Sequence, residues 1–224
     1  DFVIDLAGIS NDPACDLDKN ITEEINHKGP CNVAKMAKKS GVSRYIMASS
    51  CSIYGASDGE PLNEESDKKP VSLYAKSKID CEHDILKLSS PSFTVTFLRL
   101  ATVFGLSYRM RFDLIINIMT MYAYSQNKIL VLGGGQQWRP LVHVKDVVRA
   151  FSLILNSDKK KINAQAYNVG SDSQNYQVVG VAKTIKSILP INVEIIMVPD
   201  DPDRRNYNVS FKKIKNELGY KTKY

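Results

Sequence analysis

The stretch Tyr74-Ala75-Lys76-Ser77-Lys78 sets a phenol and an amine four residues apart. On a helix that spacing stacks them on one face, roughly 6 Å apart. A lysine that near favours the phenolate and draws the phenol below its usual value of about 10. A tyrosine tuned in this way can serve as general acid and base. The same spacing also occurs on solvated helix faces that do no chemistry, so its meaning depends on its surroundings. Ser50 stands 24 residues upstream, where the apolar run Tyr45 to Ala48 stops at two serines, a cysteine and a third serine. The C-terminal end of a parallel strand is where open α/β sheets bind ligands. Ser50 can hold a substrate oxygen there while Tyr74 takes its proton.

The elements that must position these groups alternate. Residues 1–8 read as a strand ending in a small-residue turn, and 15–39 as a helix ending near Ser40-Gly41. Residues 44–49 read as a strand, 72–89 as a helix and 93–100 as a strand. That order implies βαβ units and a parallel sheet covered by helices on both faces. Downstream, helices over 112–125, 144–155, 176–189 and 211–219 alternate with strands over 128–133, 166–170 and 193–198. The predicted class is α/β: a partial doubly wound parallel sheet, Rossmann-like, with a smaller C-terminal α/β part. Residues 1–110 are expected to form the remainder of a dinucleotide-binding domain. Residues 111–224 are expected to form mainly a substrate-binding part, with about 139–170 returning to the first domain.

In a doubly wound sheet the phosphate-binding glycines follow strand 1. No G-x-G-x-x-G occurs here, and Gly133-Gly134-Gly135 follows a strand without opening a helix, so it reads as a turn. The first strand therefore reads as strand 4 of that order, with the sequence cut inside its first domain. An exposed apolar sheet edge at residues 2–6, prone to association, is expected.

Bulk composition narrows the classes. The chain has 224 residues, 43% hydrophobic and 24% charged, ordinary for a globular protein with a real core. No apolar run approaches the roughly 20 residues that span a bilayer, and no signal sequence opens the chain. A cytoplasmic protein with no membrane partner is expected. The four cysteines are widely spaced and form no C-x-x-C or Cys/His pattern, so neither a metal site nor a disulfide is predicted. The net charge of +6 is scattered, without the basic stripe and interleaved aromatics of a nucleic-acid binder. Anionic small ligands remain open.

Several segments in order carry a resemblance to a known family. These are Asp5-Leu6-Ala7-Gly8, residues 25–34 (with Pro30 where the pattern has Thr), residues 49–55, residues 74–78, residues 139–147 and residues 204–210. Together they resemble the extended short-chain dehydrogenase/reductases, in the nucleotide-sugar epimerase/dehydratase branch, over residues 1 to about 220. The resemblance implies Tyr74 as catalytic acid/base, Lys78 as its tuner and a ligand of the nicotinamide ribose, and Ser50 as the catalytic hydroxyl. It implies Ala7 and Gly8 against the dinucleotide. Asn26 and Ser49 join the cofactor side as supports of the active-site backbone and turn. Arg139 and Arg205 are implied as the diphosphate clamp of a nucleotide sugar, with Arg204 an equal candidate in register. A guanidinium suits that task because its planar fork binds phosphate oxygens in pairs. Thr102 stands where the family usually has a diphosphate-binding Asn, three residues after Arg99, and is expected to face substrate. Residues 109–117 are expected to border the substrate pocket, and His143 to serve packing.

The resemblance also bears on the reaction. Family dehydratases carry Asp-Glu directly after the catalytic hydroxyl residue; here those positions are Cys51 and Ser52. Related 3,5-epimerase/reductases carry a catalytic Cys two residues after the Ser. Here the Cys is one residue early, which turns its side chain to the other face of a strand end. Cys51 therefore reads as packing. The implied activity is NAD-dependent nucleotide-sugar epimerisation, with NADP left open because the residues after strand 2 are not in this sequence. A keto-sugar reductase or dehydratase of the same family is the nearest alternative. A catalytically inactive nucleotide-sugar-binding protein on the same scaffold is the alternative of another class. A homodimer is expected. Without the glycine loop, these residues alone are expected to bind NAD weakly.

Overall fold

The structure, a computed structural model, describes residues 1–224 except Asp58, Pro202 and Arg204, so Arg204 lies outside the described residues. The central sheet has four parallel strands in the order β1 (Phe2–Asp5), β2 (Arg44–Ser50), β3 (Thr94–Leu100) and β7 (Gln165–Val169). Period-two alternation divides its side chains between two cores. Tyr45, Met47, Val95 and Phe97 face one core, built with Cys31, Ala34 and Ala37 of α3 (Gly29–Lys39) and Cys81 and Ile85 of α4 (Leu73–Leu86). Ile46, Leu98, Tyr167 and Val169 face the other, with Ala150, Phe151 and Ile154 of α6 (Val144–Asn156) and Ile214 of α9 (Lys212–Leu218). Helices on both faces explain why β2 and β3 read as nearly unbroken apolar runs. β1 pairs only with β2, and Phe2 and Leu6 are exposed at that edge.

The expected helix over 15–39 is broken into α1 (Asp12–Leu17), α2 (Lys19–Glu23), a π turn over Glu24–Lys28, and α3. Asp18 causes the first break: its carboxylate accepts from the amides of Asn20 and Ile21 at 2.9 and 3.0 Å and caps α2. Pro30 accompanies the second. It has no N–H to offer the carbonyl of Asn26, one turn back. The Cys81 thiol donates to that carbonyl instead, at 2.9 Å.

Three further strands were not expected as strands: β4 (Thr102–Phe104), β6 (Trp138–His143) and β8 (Asn175–Gln177), which form a sheet in the order β4-β6-β8. Proline at 140 masks β6 in the sequence, because proline inside a run argues against a strand. A separate parallel pair, β5 (Lys128–Leu132) and β9 (Glu194–Val198), packs on α5 (Ile115–Gln126) and α8 (Val178–Ile188) around a third core. A short α7 (Lys159–Ile162) leads into β7. Among the described residues, no helix is long and apolar enough to cross a membrane.

A buried ion pair ties α4 to the central sheet. Arg99 of β3, 3% exposed, donates to Glu82 of α4 through Nε (3.0 Å) and Nη2 (2.7 Å). Its Nη1 reaches the Tyr54 hydroxyl and the Glu64 carbonyl. Glu82 also accepts from Ser49 Oγ at 2.6 Å. Glu82→Ala leaves a buried guanidinium without its counter-charge. It should cost about 3–5 kcal/mol of stability, read as a lower urea midpoint.

Burial raises the phenols of Tyr45, Tyr54, Tyr74, Tyr167, Tyr207 and Tyr220 and the thiols of all four cysteines. The unfolded chain gives up these protons near about 8.5 (thiols) and about 10 (phenols), while the fold retains them. Their contribution to stability is complete below those values and is lost as pH rises through and beyond them. Urea midpoints measured at rising pH should fall from about pH 8.5 and steepen above about pH 10. A flat profile over that range contradicts the burial of these groups.

Candidate active site

The cofactor side of the crevice begins where β1 ends. Asp5, 7% exposed, accepts from the amide of Ala7 at 3.0 Å and from the Tyr45 hydroxyl, which fixes the turn after the strand. Ala7 and Gly8 follow, both exposed. Gly8 has φ +150°, and a Cβ there would lie 3.1 Å from Asn26 Oδ1 and 3.8 Å from Lys78 Nζ. Glycine therefore answers both the backbone conformation and the close approach. Asn26, fully buried, holds the next residue from both sides: Oδ1 accepts from Ile9 N at 2.7 Å and Nδ2 donates to Ile9 O at 2.9 Å. It acts as a substitute strand partner for the loop. Gly8, Asn26 and Lys78 are thus brought together, although 70 residues separate the first from the last.

Ser50 ends β2 and caps the short 3₁₀ turn Cys51–Tyr54, its Oγ accepting from Ser52 N at 3.1 Å. Tyr74 lies in the first turn of α4, which Ser72 caps by accepting from Ala75 N. The Ser50 hydroxyl lies close enough to the Tyr74 phenol to favour its ionised form, as does the charge of Arg111. Lys78 Nζ lies 5.7 Å from the centre of the Tyr74 ring and donates to the Ala48 carbonyl at 3.0 Å. Ser50, Tyr74 and Lys78 are therefore gathered at one strand end.

The expected direction of the Tyr74 shift is overturned. Burial pushes the phenol up to about 12, against the smaller opposing effects of Ser50 and Arg111. Lys78 itself is buried, 5% exposed, and desolvation lowers its own value. Taking both groups out of water favours their neutral forms.

Ser49 is not brought to the crevice. Alternation along β2 turns its hydroxyl toward α4, where it is 2% exposed and bound to Glu82. Cys51 is fully buried, its thiol donating to the Arg99 carbonyl at 3.2 Å and raised by burial, consistent with packing. His143 caps α6 through Nδ1 and lies edge-on to Phe104, with ring centres 5.3 Å apart.

Arg139 and Arg205 are brought together by Asp203. Arg139 Nη2 lies 2.9 Å from Asp203 Oδ2, and Arg205 binds the same carboxylate through Nε and Nη2 at 2.8 and 2.6 Å. Burial raises Asp203, but the hydrogen bonds and charges of Arg205 and Arg139 prevail and hold it at about 2. Arg205 Nη1 reaches Asp12 Oδ2 at 3.2 Å, and the charge of Asp12 is felt at Tyr74. The guanidinium pair and the phenol thus share a neighbour. Two guanidiniums face two carboxylates, so an anionic ligand must displace a carboxylate from a fork. Arg139 spends a further donor on the Arg205 and Trp138 carbonyls, so it also braces the Arg205 backbone. A cavity of about 440 Å³ opens here, lined by Gln137, Asp201, Asp203, Arg205 and Asn206. Thr102 is half-buried in β4, opposite Leu141 of β6.

Sequence reasoning missed Asp12, Asp203 and Arg111 as individuals. Arg111 Nη1 donates to Ser10 Oγ at 2.8 Å and joins the segment after β4 to the loop that Asn26 holds. Only the segment 109–117 signalled it. A second cavity of about 540 Å³, lined by Phe104, Met110, Phe112, Ile116 and Tyr124, borders that segment, and none of Ser50, Tyr74 and Lys78 lines it.

Comparisons with known proteins bear on the fold and the family. Mouse dTDP-D-glucose 4,6-dehydratase is 26% identical over 207 residues, covering 89% of this chain and 57% of the relative. Zebrafish UDP-glucuronic acid decarboxylase 1 is 24% identical over 229 residues, covering 98% of this chain and 53% of the relative. The chain thus spans a little over half the length of these relatives. The solved structure of MoeE5 in complex with UDP-glucuronic acid and NAD superposes with a TM-score of 0.89 at 22% identity, covering 100% of this chain and 74% of that one. At that identity the likeness speaks for the fold. The NAD dependent epimerase/dehydratase family model matches residues 1–170, which include the Gly8–Asn26 loop, Ser50, Tyr74, Lys78 and Arg139, and the chain belongs to that family.

Proposed function

We propose that this chain carries the catalytic part of an NAD-dependent nucleotide-sugar epimerase. The observation that carries the reading is the meeting of Ser50, Tyr74 and Lys78 beside Gly8, in a site where Cys51 and Ser52 offer no carboxylic acid. The residues present fit the cofactor: Gly8 leaves room where a Cβ would press on Asn26, and Lys78 stands beside that gap with an amine able to bind ribose hydroxyls. When bound, NAD supplies the hydride acceptor and later the hydride donor.

The chain's own groups do the rest. Tyr74 Oη takes the proton of a sugar hydroxyl as its carbon is oxidised. Ser50 Oγ hydrogen-bonds the same oxygen throughout. Tyr74 returns the proton once the keto sugar has turned its other face. Arg205, braced by Arg139 and aligned by Asp203, receives the diphosphate, with Thr102 and residues 109–117 on the substrate side. NADP use remains compatible with these residues. Four free buried thiols fit a reducing cytoplasm. Ile21, Ile25, Val33 and Met36 leave an apolar face on α2, the π turn and α3 that suits a second copy in a homodimer.

The test uses the full-length protein with UDP-glucose or UDP-galactose and NAD, with products resolved by NMR. Epimerisation gives interconversion without net NADH. A 4-keto-6-deoxy product would instead establish a dehydratase, and tight nucleotide-sugar binding without turnover would establish a binding protein. Tyr74→Phe should lower kcat by about 10²–10⁴-fold, and Ser50→Ala by about 10²-fold. Arg205→Ala should act mainly on KM, because it removes binding common to ground and transition states. With Tyr74 raised by burial, its base form is scarce near neutrality. The wild-type rate should therefore climb with pH from about 7 to about 9, and a rate that falls over that span removes Tyr74 as the base.

A further inference from the structure

Away from the crevice, a second cluster of chemically competent side chains lies between the π turn, α3 and the end of α4. A ring nitrogen of His27, Cys31 Sγ and an Asp84 carboxylate oxygen all lie within 4.8 Å of one another. His27 and Cys31 stand four residues apart, one helical turn along one face, and Asp84 comes from the packed neighbour helix. His-x-x-x-Cys is half a ligand set, and the fold supplies the other half. This is why linear spacing predicted no metal.

Imidazole, thiolate and carboxylate are the donors zinc takes, with bonds of about 2.0–2.3 Å that set tetrahedral ligand atoms about 3.5 Å apart. His27 Nε2 and Asp84 Oδ2 already stand 2.9 Å apart. Drawing all three onto one ion needs shifts of about 1 Å, within reach of side-chain rotation. Cys31 differs from the other three cysteines. Cys15, Cys51 and Cys81 donate to the carbonyls of Ile9, Arg99 and Asn26, whereas the neighbour felt by the Cys31 thiol is another thiol, that of Cys81. Cys31 is 6% exposed, while the side chains of His27 and Asp84 are 23% and 41% exposed. The cluster is thus closed at the sulfur and open at the oxygen, where an ion can enter. The second Asp84 oxygen is held by Lys87 Nζ at 2.8 Å and His83 Nδ1 at 3.2 Å, which orient the carboxylate.

We propose that His27, Cys31 and Asp84 bind one zinc-class divalent cation through a nitrogen, a thiolate sulfur and a carboxylate oxygen, with water in the fourth position. On binding, the ion displaces the thiol proton to solvent. Such an ion would staple α3 to α4 next to Asn26, which holds the loop after β1, and six residues beyond Lys78 on α4. A plain ion-pair reading of His27, Asp84 and Lys87 predicts no metal and no role for sulfur.

The two readings separate in a cobalt titration of the reduced, chelator-treated full-length protein, followed by absorption. The expected result is one Co²⁺ per chain with a thiolate-to-cobalt charge-transfer band, removed by Zn²⁺. Cys31→Ser should abolish the band. His27→Gln and Asp84→Asn should weaken binding at least about tenfold, and His143→Gln should leave it unchanged. Lys87→Ala should tighten binding, since an ammonium no longer competes for Asp84. If circular dichroism shows that Cys31→Ser has not folded, the His27 and Asp84 variants, on partly exposed side chains, decide the matter. Absence of the band in excess cobalt overturns the proposal. So does a band that survives in folded Cys31→Ser, or binding unchanged in both His27→Gln and Asp84→Asn.

Discussion

Tyr74, Lys78 and Glu82 follow one another at four-residue steps along α4, and this inward polar stripe governs how the helix meets the sheet. An amphipathic helix would place apolar groups there. Instead Glu82 is locked to Arg99 and Ser49, and Lys78 to the Ala48 carbonyl. Burying this much polarity is tolerable because each group finds a partner. With both later residues anchored to β2 and β3, the first turn of α4 can lie only at the C-terminal end of β2, where Ser50 is. The meeting of Ser50, Tyr74 and Lys78 thus follows from an ion pair two turns away on the same helix.

The same burial sets the electrostatics. It raises the phenol of Tyr74 and lowers the amine of Lys78, so the folded chain biases both toward neutrality. Ser50 and Arg111 pull the phenol the other way without prevailing. A positive charge or a further hydrogen bond brought near the phenol would favour its ionised form.

The βαβ frame was legible because β2 and β3 are covered on both faces and so carry unbroken apolar runs. Ser50, Tyr74 and Lys78 were legible because their relation is local: a strand end and a four-residue step. Features that depend on distant partners were not. The break at Asp18 rests on a side-chain cap, and the π turn on a missing proline N–H answered by Cys81, 51 residues beyond Pro30. The strands β4, β6 and β8 are short, and Pro140 disguises the longest of them. Ser49 was assigned to the cofactor side because nothing in the sequence says that Glu82 waits behind it. The sign of the Tyr74 shift was missed for a related reason: spacing shows the lysine, but only the fold shows how much water has been removed.

Residues 9–12 connect the two sides of the crevice. From the sheet side, Asn26 grips Ile9 by both backbone groups. From the other side, Arg111 holds Ser10 and Arg205 holds Asp12. The loop is thus suspended between residues separated by as many as 179 positions in the chain, Asn26 and Arg205. Arg205 and Tyr74 thus share Asp12 as a charged neighbour, the first through an ion pair and the second through its field.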